Sequence, residues 1–167
     1  MPTEQARDPK PARRSADDQR RLDRLLSEIF EKHIVFNTVL GLKVLSVTHG
    51  DVRGGFEMRP ELVGNFSSGQ LHGGVIASVL DAMGGLAVMV AVGEHHAHES
   101  ADHVAHRFAR LGTIDLRIDY LRRGLGKQFL VSTEVLRLGG RVGSVQMRLL
   151  NEHGTLLATG AGAYMVS

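Results

Sequence analysis

Leu22, Leu25, Leu26 and Ile29 follow the i, i+3, i+4, i+7 spacing of one helix face. Ahead of them Ser15, with Asp18 three residues on, resembles a capping box in which Asp replaces Glu, so the pattern predicts a helix from Ser15 that stops before Gly41. Period-two alternation takes over in Leu42, Val44 and Ser46 against Lys43, Leu45 and Val47. It returns from Val52 to Arg59, with His49-Gly50-Asp51 as the turn and Pro60 as the stop, and together these predict a hairpin. Asn65 to Gln70 is polar and reads as a loop. Leu71 to Val92 is almost unbroken in its hydrophobicity, with one charge, Asp81, near the middle, and predicts a buried helix. A short amphipathic helix follows over about Ser100 to Leu111, with Val104, Phe108 and Leu111 on one side. Four strands close the chain: Gly112 to Arg122, a segment around Phe129 to Val135, Arg141 to Asn151, and Thr155 to Val166. Gly139-Gly140 and Glu152-His153-Gly154 mark the tight turns. Short connections favour antiparallel pairing, and a single long apolar helix is buried only if the sheet wraps it, so the fold class is α+β.

Composition narrows the chemistry. A length of 167 residues holds one ordinary domain, read here as 15–167; residues 1–14, with three of the four prolines, read as a mobile N-terminal tail. The absence of cysteine excludes a disulfide scaffold, a thiolate nucleophile and cysteine-ligated metal. A net charge of +2 with 5% aromatic residues gives little to hold nucleic acid. Residues 1–21 lack the apolar core of a secretion signal, and a membrane span over 71–92 would place Asp81 at the bilayer centre among four glycines. No membrane partner is expected, and the cytoplasm is the expected compartment.

The long helix carries the most chemical information. At 100° per residue Gly74, Ala77, Ser78, Gly84, Gly85 and Val88 all fall within about 60° of Asp81, so the one charge lies on a face of small side chains. Those residues could permit close packing, form a subunit interface, or leave a pocket in which Asp81 serves as general base or nucleophile; the last two are compatible. An unpaired carboxylate in so apolar a setting is costly and wants a partner or a task. Where the helix begins, His72-Gly73-Gly74 could offer unpaired N–H groups to an oxyanion. On an ideal helix, however, the nine steps from His72 to Asp81 turn about 900° and point the two side chains apart. Either His72 precedes the helix or the two elements meet from different subunits, and a site made by two chains is the favoured reading.

Asn65, His72-Gly73-Gly74 and Asp81, in this element order, resemble the hotdog-fold acyl-CoA thioesterases of the phenylacetyl-CoA (PaaI) type. Leu111 to Arg117, Asp119 to Arg122, Ala158-Thr159-Gly160 and Ala163-Tyr164-Met165 look like the bacterial YigI-type members of that superfamily. The resemblance covers about residues 35–166. It implies a hotdog fold, with the N-terminal helix as an addition, and hydrolysis of a fatty or aromatic acyl-CoA. In that implied chemistry Asp81 is base or nucleophile, Gly73 supplies the oxyanion N–H, and His72 and Asn65 order the loop. It also implies a homodimer, or a dimer of dimers, with Asp81 of one chain opposite the His-Gly-Gly turn of the other. Asn65 stands seven residues before His72 where this branch commonly has six. For the Ser or Thr that positions water in some relatives, Ser100 is the best match. The substrate would lie along Gly74, Ser78, Gly84 and Gly85, and Arg122 and Arg123 could meet the phosphates of coenzyme A.

Other constellations weigh less. His95, His96, His98, His103 and His106 fall within twelve residues, but no carboxylate–histidine motif completes a metal site, so a solvated loop is expected and neither metal nor other cofactor is required. Ser67 and Ser68 lack a nucleophile elbow. A hydratase would want a histidine where Leu86 stands. A non-catalytic acyl or acyl-CoA binding module on the same fold is the alternative of a different class.

Overall fold

The computed structural model describes residues 12–167. Helix α1 (Ala16–Glu28) is capped by Ser15, whose side chain accepts the Asp18 N–H at 3.2 Å. The reciprocal half of the expected capping box is not made. Asp18 instead accepts the N–H of Ala101 at 3.0 Å and ties α1 to the start of α4 (Ala101–Arg107). Of the expected tail, residues 1–11 lie outside the described residues. Arg13 forms an ion pair with Glu94, and the backbone N–H of Arg14 donates to Ala97 O at 2.6 Å.

The first helix is not continuous to Gly41. Ile29–His33 open into a π-helical turn, Ile34 leaves helical geometry at φ −84°, ψ 90°, and α2 (Val35–Leu40) restarts, to be stopped by Gly41 at φ 71°. The break is paid for by Asn37, a buried amide that donates to the freed Phe30 carbonyl at 2.9 Å.

Strands β1 (Lys43–Thr48) and β2 (Asp51–Glu57) form the predicted hairpin. The segment read as a loop contains a small second hairpin, β3 (Val63–Asn65) with β4 (Gln70–Leu71). Helix α3 spans Gly73–His95. Strands β5 (Gly112–Tyr120), β6 (Gln128–Leu138), β7 (Val142–Asn151) and β8 (Leu156–Met165) complete an antiparallel sheet in the order β1-β2-β6-β7-β8-β5. This sheet curls round α3 in the expected α+β hotdog arrangement. Val79, Leu80, Met83 and Leu86 of α3 meet Val131, Val145, Met147 and Leu149 of the sheet in a core closed to water. The helix, at 23 residues, is long and apolar enough to cross a bilayer, but 72% of its most apolar 18-residue stretch is buried inside the fold. Its hydrophobicity is spent on the core.

The α3 face predicted to be small divides in two. Gly84 is filled from the sheet side: a Cβ there would lie 2.7 Å from Met147 Sδ and 2.8 Å from the Tyr164 ring. Gly84→Ala is therefore expected to displace Tyr164 and destabilise the protein by about 1–3 kcal/mol, read as a fall of several degrees in Tm. An unchanged Tm would mean that this contact gives way freely.

Candidate active site

Asp81 projects from the other part of that face, partly exposed, into a cavity of about 230 Å³. Phe30, Ile34 and Phe36 of the broken N-terminal helix form one wall, and Phe108 and Leu111 form another. Ser78, Ala82, Gly85 and Thr113 line the same cavity as Asp81. Larger hollows of about 600 and 690 Å³ lie elsewhere along the sheet, but neither includes Asp81 or the His-Gly-Gly turn. The smaller cavity is the candidate because chemistry and apolar wall coincide there.

Thr113, at the start of β5, donates its hydroxyl to Asp81 Oδ1 at 2.9 Å. That bond fixes the carboxylate and leaves the second oxygen for another group. Below it, the Tyr164 hydroxyl donates to the backbone carbonyl of Asp81 at 3.0 Å. Burial, then the nearby Asp81 charge, pushes the Tyr164 phenol far above its ordinary pKa, so it stays a neutral donor. Asp81 has no cationic partner among the described residues.

His72 stands just before α3, in extended geometry (φ −66°, ψ 138°), and its Nδ1 accepts the N–H of Gly74 at 2.9 Å. It is a helix cap, and its ring orients the turn. The N–H of Gly73, first in the helix, has no protein acceptor among the described residues. The Tyr120 hydroxyl donates to the Gly73 carbonyl at 3.0 Å. Gly64 packs so tightly on His72 that a Cβ there would lie 2.8 Å from the His72 Cβ. From Gly73 to Asp81 the helix rises about 12 Å, so a single carbonyl cannot reach both within one chain.

Other expected site residues fall elsewhere. Asn65 does not bond to His72: its Oδ1 accepts from Ser67 N–H (3.0 Å), Ser67 hydroxyl (2.7 Å) and Ser68 N–H (3.3 Å), closing the tip of the β3–β4 hairpin. Ser100 caps α4, accepting from the His103 N–H, and does not line the cavity; the hydroxyl beside Asp81 is that of Thr113. Ser78 and Gly85 line the cavity, Gly74 is exposed at the helix start, and Gly84 is packed away from the cavity. Arg122 donates to the Leu156 carbonyl at 2.9 Å, and Arg123 lies exposed beside it. Both precede Gly124, whose carbonyl accepts the N–H of Leu71 at 2.9 Å, so this pair flanks the His-Gly-Gly turn. Of the five histidines, His96 sits against Glu99, and its pKa is lowered by burial and then by the charge of Arg107.

Residues 68–158 match the Thioesterase superfamily. The chain is 38% identical over 143 residues to the "Medium/long-chain acyl-CoA thioesterase YigI" of Salmonella typhimurium, covering 86% of this chain and 92% of that one. The protein of the same name from Escherichia coli K12 matches to the same extent. A crystal structure from Shewanella oneidensis related to the thioesterase superfamily superimposes with a TM-score of 0.86 at 38% identity, over 92% of this chain and all of that one. Zebra fish thioesterase superfamily member 2, at 24% identity and a TM-score of 0.66 over 85% of this chain and 96% of its own, shares the fold.

Proposed function

This chain belongs to the thioesterase superfamily and is a thioester hydrolase, and from that premise we propose that it hydrolyses medium- to long-chain fatty acyl-CoA to the free acid and CoA. The observation that carries this reading is the Asp81 carboxylate, held by Thr113 at the mouth of a cavity walled by Phe30, Ile34, Phe36, Phe108 and Leu111. An apolar wall suits an acyl chain, and a fixed carboxylate suits proton transfer at its thioester end. The names of the YigI relatives support the substrate class.

In this reading Asp81 acts as base or nucleophile. As base it takes a proton from water as the oxygen attacks the carbonyl carbon; negative charge gathers on the carbonyl oxygen, and its collapse expels the CoA thiolate, which recovers the proton. The unpaired N–H of Gly73 stabilises that oxyanion at a helix N-terminus, with His72 holding the turn in place. Asn65 keeps the adjoining hairpin closed, and Arg122 and Arg123, next to the Gly124 carbonyl that binds Leu71, are the proposed contacts for CoA phosphates.

The 12 Å between Gly73 and Asp81 supports a site completed by a second subunit, in a homodimer of the PaaI type. Among the described residues strand β5 is an edge of the sheet, with Ile114 (57% exposed), Tyr120 (55%) and Leu121 (48%) uncovered on or next to it. Such an edge is a template for pairing. Its two ends also serve the two halves of the chemistry, Thr113 at Asp81 and Tyr120 at Gly73. Two copies of β5 paired antiparallel about a two-fold axis bring the Thr113 end of one against the Tyr120 end of the other. Asp81 of each chain is then beside Gly73 of its partner.

The test is thiol release across acyl-CoA substrates of increasing length. Turnover should peak with medium to long chains and fall for acetyl-CoA. Saturable binding of these substrates without any release would identify the non-catalytic acyl-binding module instead.

A further inference from the structure

We propose that His96, His98 and Glu99 form a binding site for a divalent transition metal of the zinc class, at the end of α3 remote from Asp81. One donor atom from each of the three lies within 4.8 Å of the other two. In a tetrahedral zinc site with bonds of about 2.0–2.2 Å, donor atoms stand roughly 3.3 Å apart, so the cluster needs a contraction of about 1.5 Å at most. His98 is exposed and can supply that movement by rotating its side chain. His96 and Glu99 already meet, with Nδ1 3.0 Å from Oε1, and both are largely covered, at 26% and 18% side-chain exposure.

The backbone that carries these donors is fixed before any ion arrives. Ala97 N–H bonds to Glu94 O and Glu99 N–H to His96 O, while Ala97 O accepts the backbone N–H of Arg14 and His96 O accepts its guanidinium. Such preorganisation lowers the entropy lost on ligation. The charges around the site are mixed. Arg107 forks onto Glu99 through Nε (3.1 Å) and a terminal nitrogen (2.6 Å), which keeps the carboxylate ionised and aimed, with lone pairs remaining for an ion. The cationic charges of Arg107 and Arg14 oppose a metal, while Glu99 and the carbonyl end of α3 favour one. Two imidazoles and one carboxylate suit zinc, cobalt or nickel better than magnesium or calcium. With three protein ligands, the fourth position falls to water. An ion there would join the end of α3 to the loop leading into α4.

The experiment uses the full chain stripped by a chelator and titrated calorimetrically with zinc chloride in a non-coordinating buffer. The expected result is saturation at one zinc per chain, with binding weakened about a hundredfold or more in His98→Ala and in Glu99→Gln, and unchanged in His103→Ala. Cobalt(II) should give a visible d–d spectrum that is lost in His98→Ala, a readout independent of activity, with circular dichroism confirming that each variant folds. Acyl-CoA hydrolysis by His98→Ala should match the parent, since the site is about 22 Å along α3 from Asp81. Failure to bind zinc, or zinc binding that survives His98→Ala at full strength, would overturn the assignment.

Discussion

Asp81→Asn is expected to lower kcat for acyl-CoA hydrolysis by about 10²–10⁴-fold, the range lost with a general base, while acyl-CoA still binds and the protein still folds. The substitution is nearly isosteric. The Asn carbonyl oxygen can still accept the Thr113 hydroxyl that now bonds to Oδ1 at 2.9 Å. The Tyr164 hydroxyl bonds to the backbone carbonyl of residue 81, so the support beneath is untouched. Asp81 has no ion-pair partner among the described residues, so removing its charge strands no buried cation. What disappears is the ability to take up a proton or attack a carbonyl near neutral pH. Thiol release gives kcat, and calorimetric titration with acyl-CoA gives binding. Undiminished turnover in this variant would remove Asp81 from the mechanism.

Gly73→Pro is expected to cost about 10²–10³-fold in kcat, the loss typical of deleting one oxyanion donor. Proline is well suited to the first position of a helix, where the N–H it lacks has no intrahelical acceptor. His72 already has the extended geometry that a following proline demands, φ −66° and ψ 138°. The nearest foreign atom to an added Cβ is Tyr120 Cε1 at 3.5 Å, an ordinary contact. The cap from Gly74 N–H to His72 remains available. Gly73→Ala is the control: it adds the same Cβ but keeps the N–H, and should stay within a few-fold of the parent. Equal losses in both variants would point to crowding at the turn, and unchanged rates in both would place the oxyanion elsewhere.

Much of this architecture is legible along the chain because it is set by local chemistry. Gly41 ends the N-terminal helical region through its left-handed φ, the alternating strands pair as their turns dictate, and His72 caps the long helix from just outside it. What could not be read locally depends on distant partners. Nothing near Ile29 announces a helix break, because the Phe30 carbonyl is satisfied by Asn37 only after that residue is buried. A helical wheel treats α3 as an isolated rod and so gives Gly84 and Gly85 one role. The fold gives Gly84 to Tyr164, far along the sequence, and Gly85 to the cavity. Thr113 lies 32 positions after Asp81, and only the curl of β5 onto α3 brings them together, whereas Ser100 has a hydroxyl of the right type but is occupied as a cap. Asn65 is the opposite case. Its turn-forming bonds to Ser67 and Ser68 are local and predictable, and they take up the oxygen that a bond to the His72 turn would have used.

In a two-subunit site each reaction centre takes one half from either chain, and mixing the two inactive variants reveals whether it does. Asp81→Asn and Gly73→Pro chains are co-refolded in equal amounts. If Asp81 works against the partner's Gly73, half of the dimers are mixed and each holds one intact centre, so activity should return to about a quarter of the parent value. If the mixture stays at the mean of the two separate variants, both groups act within a single chain or not at all, and the two-subunit site is wrong.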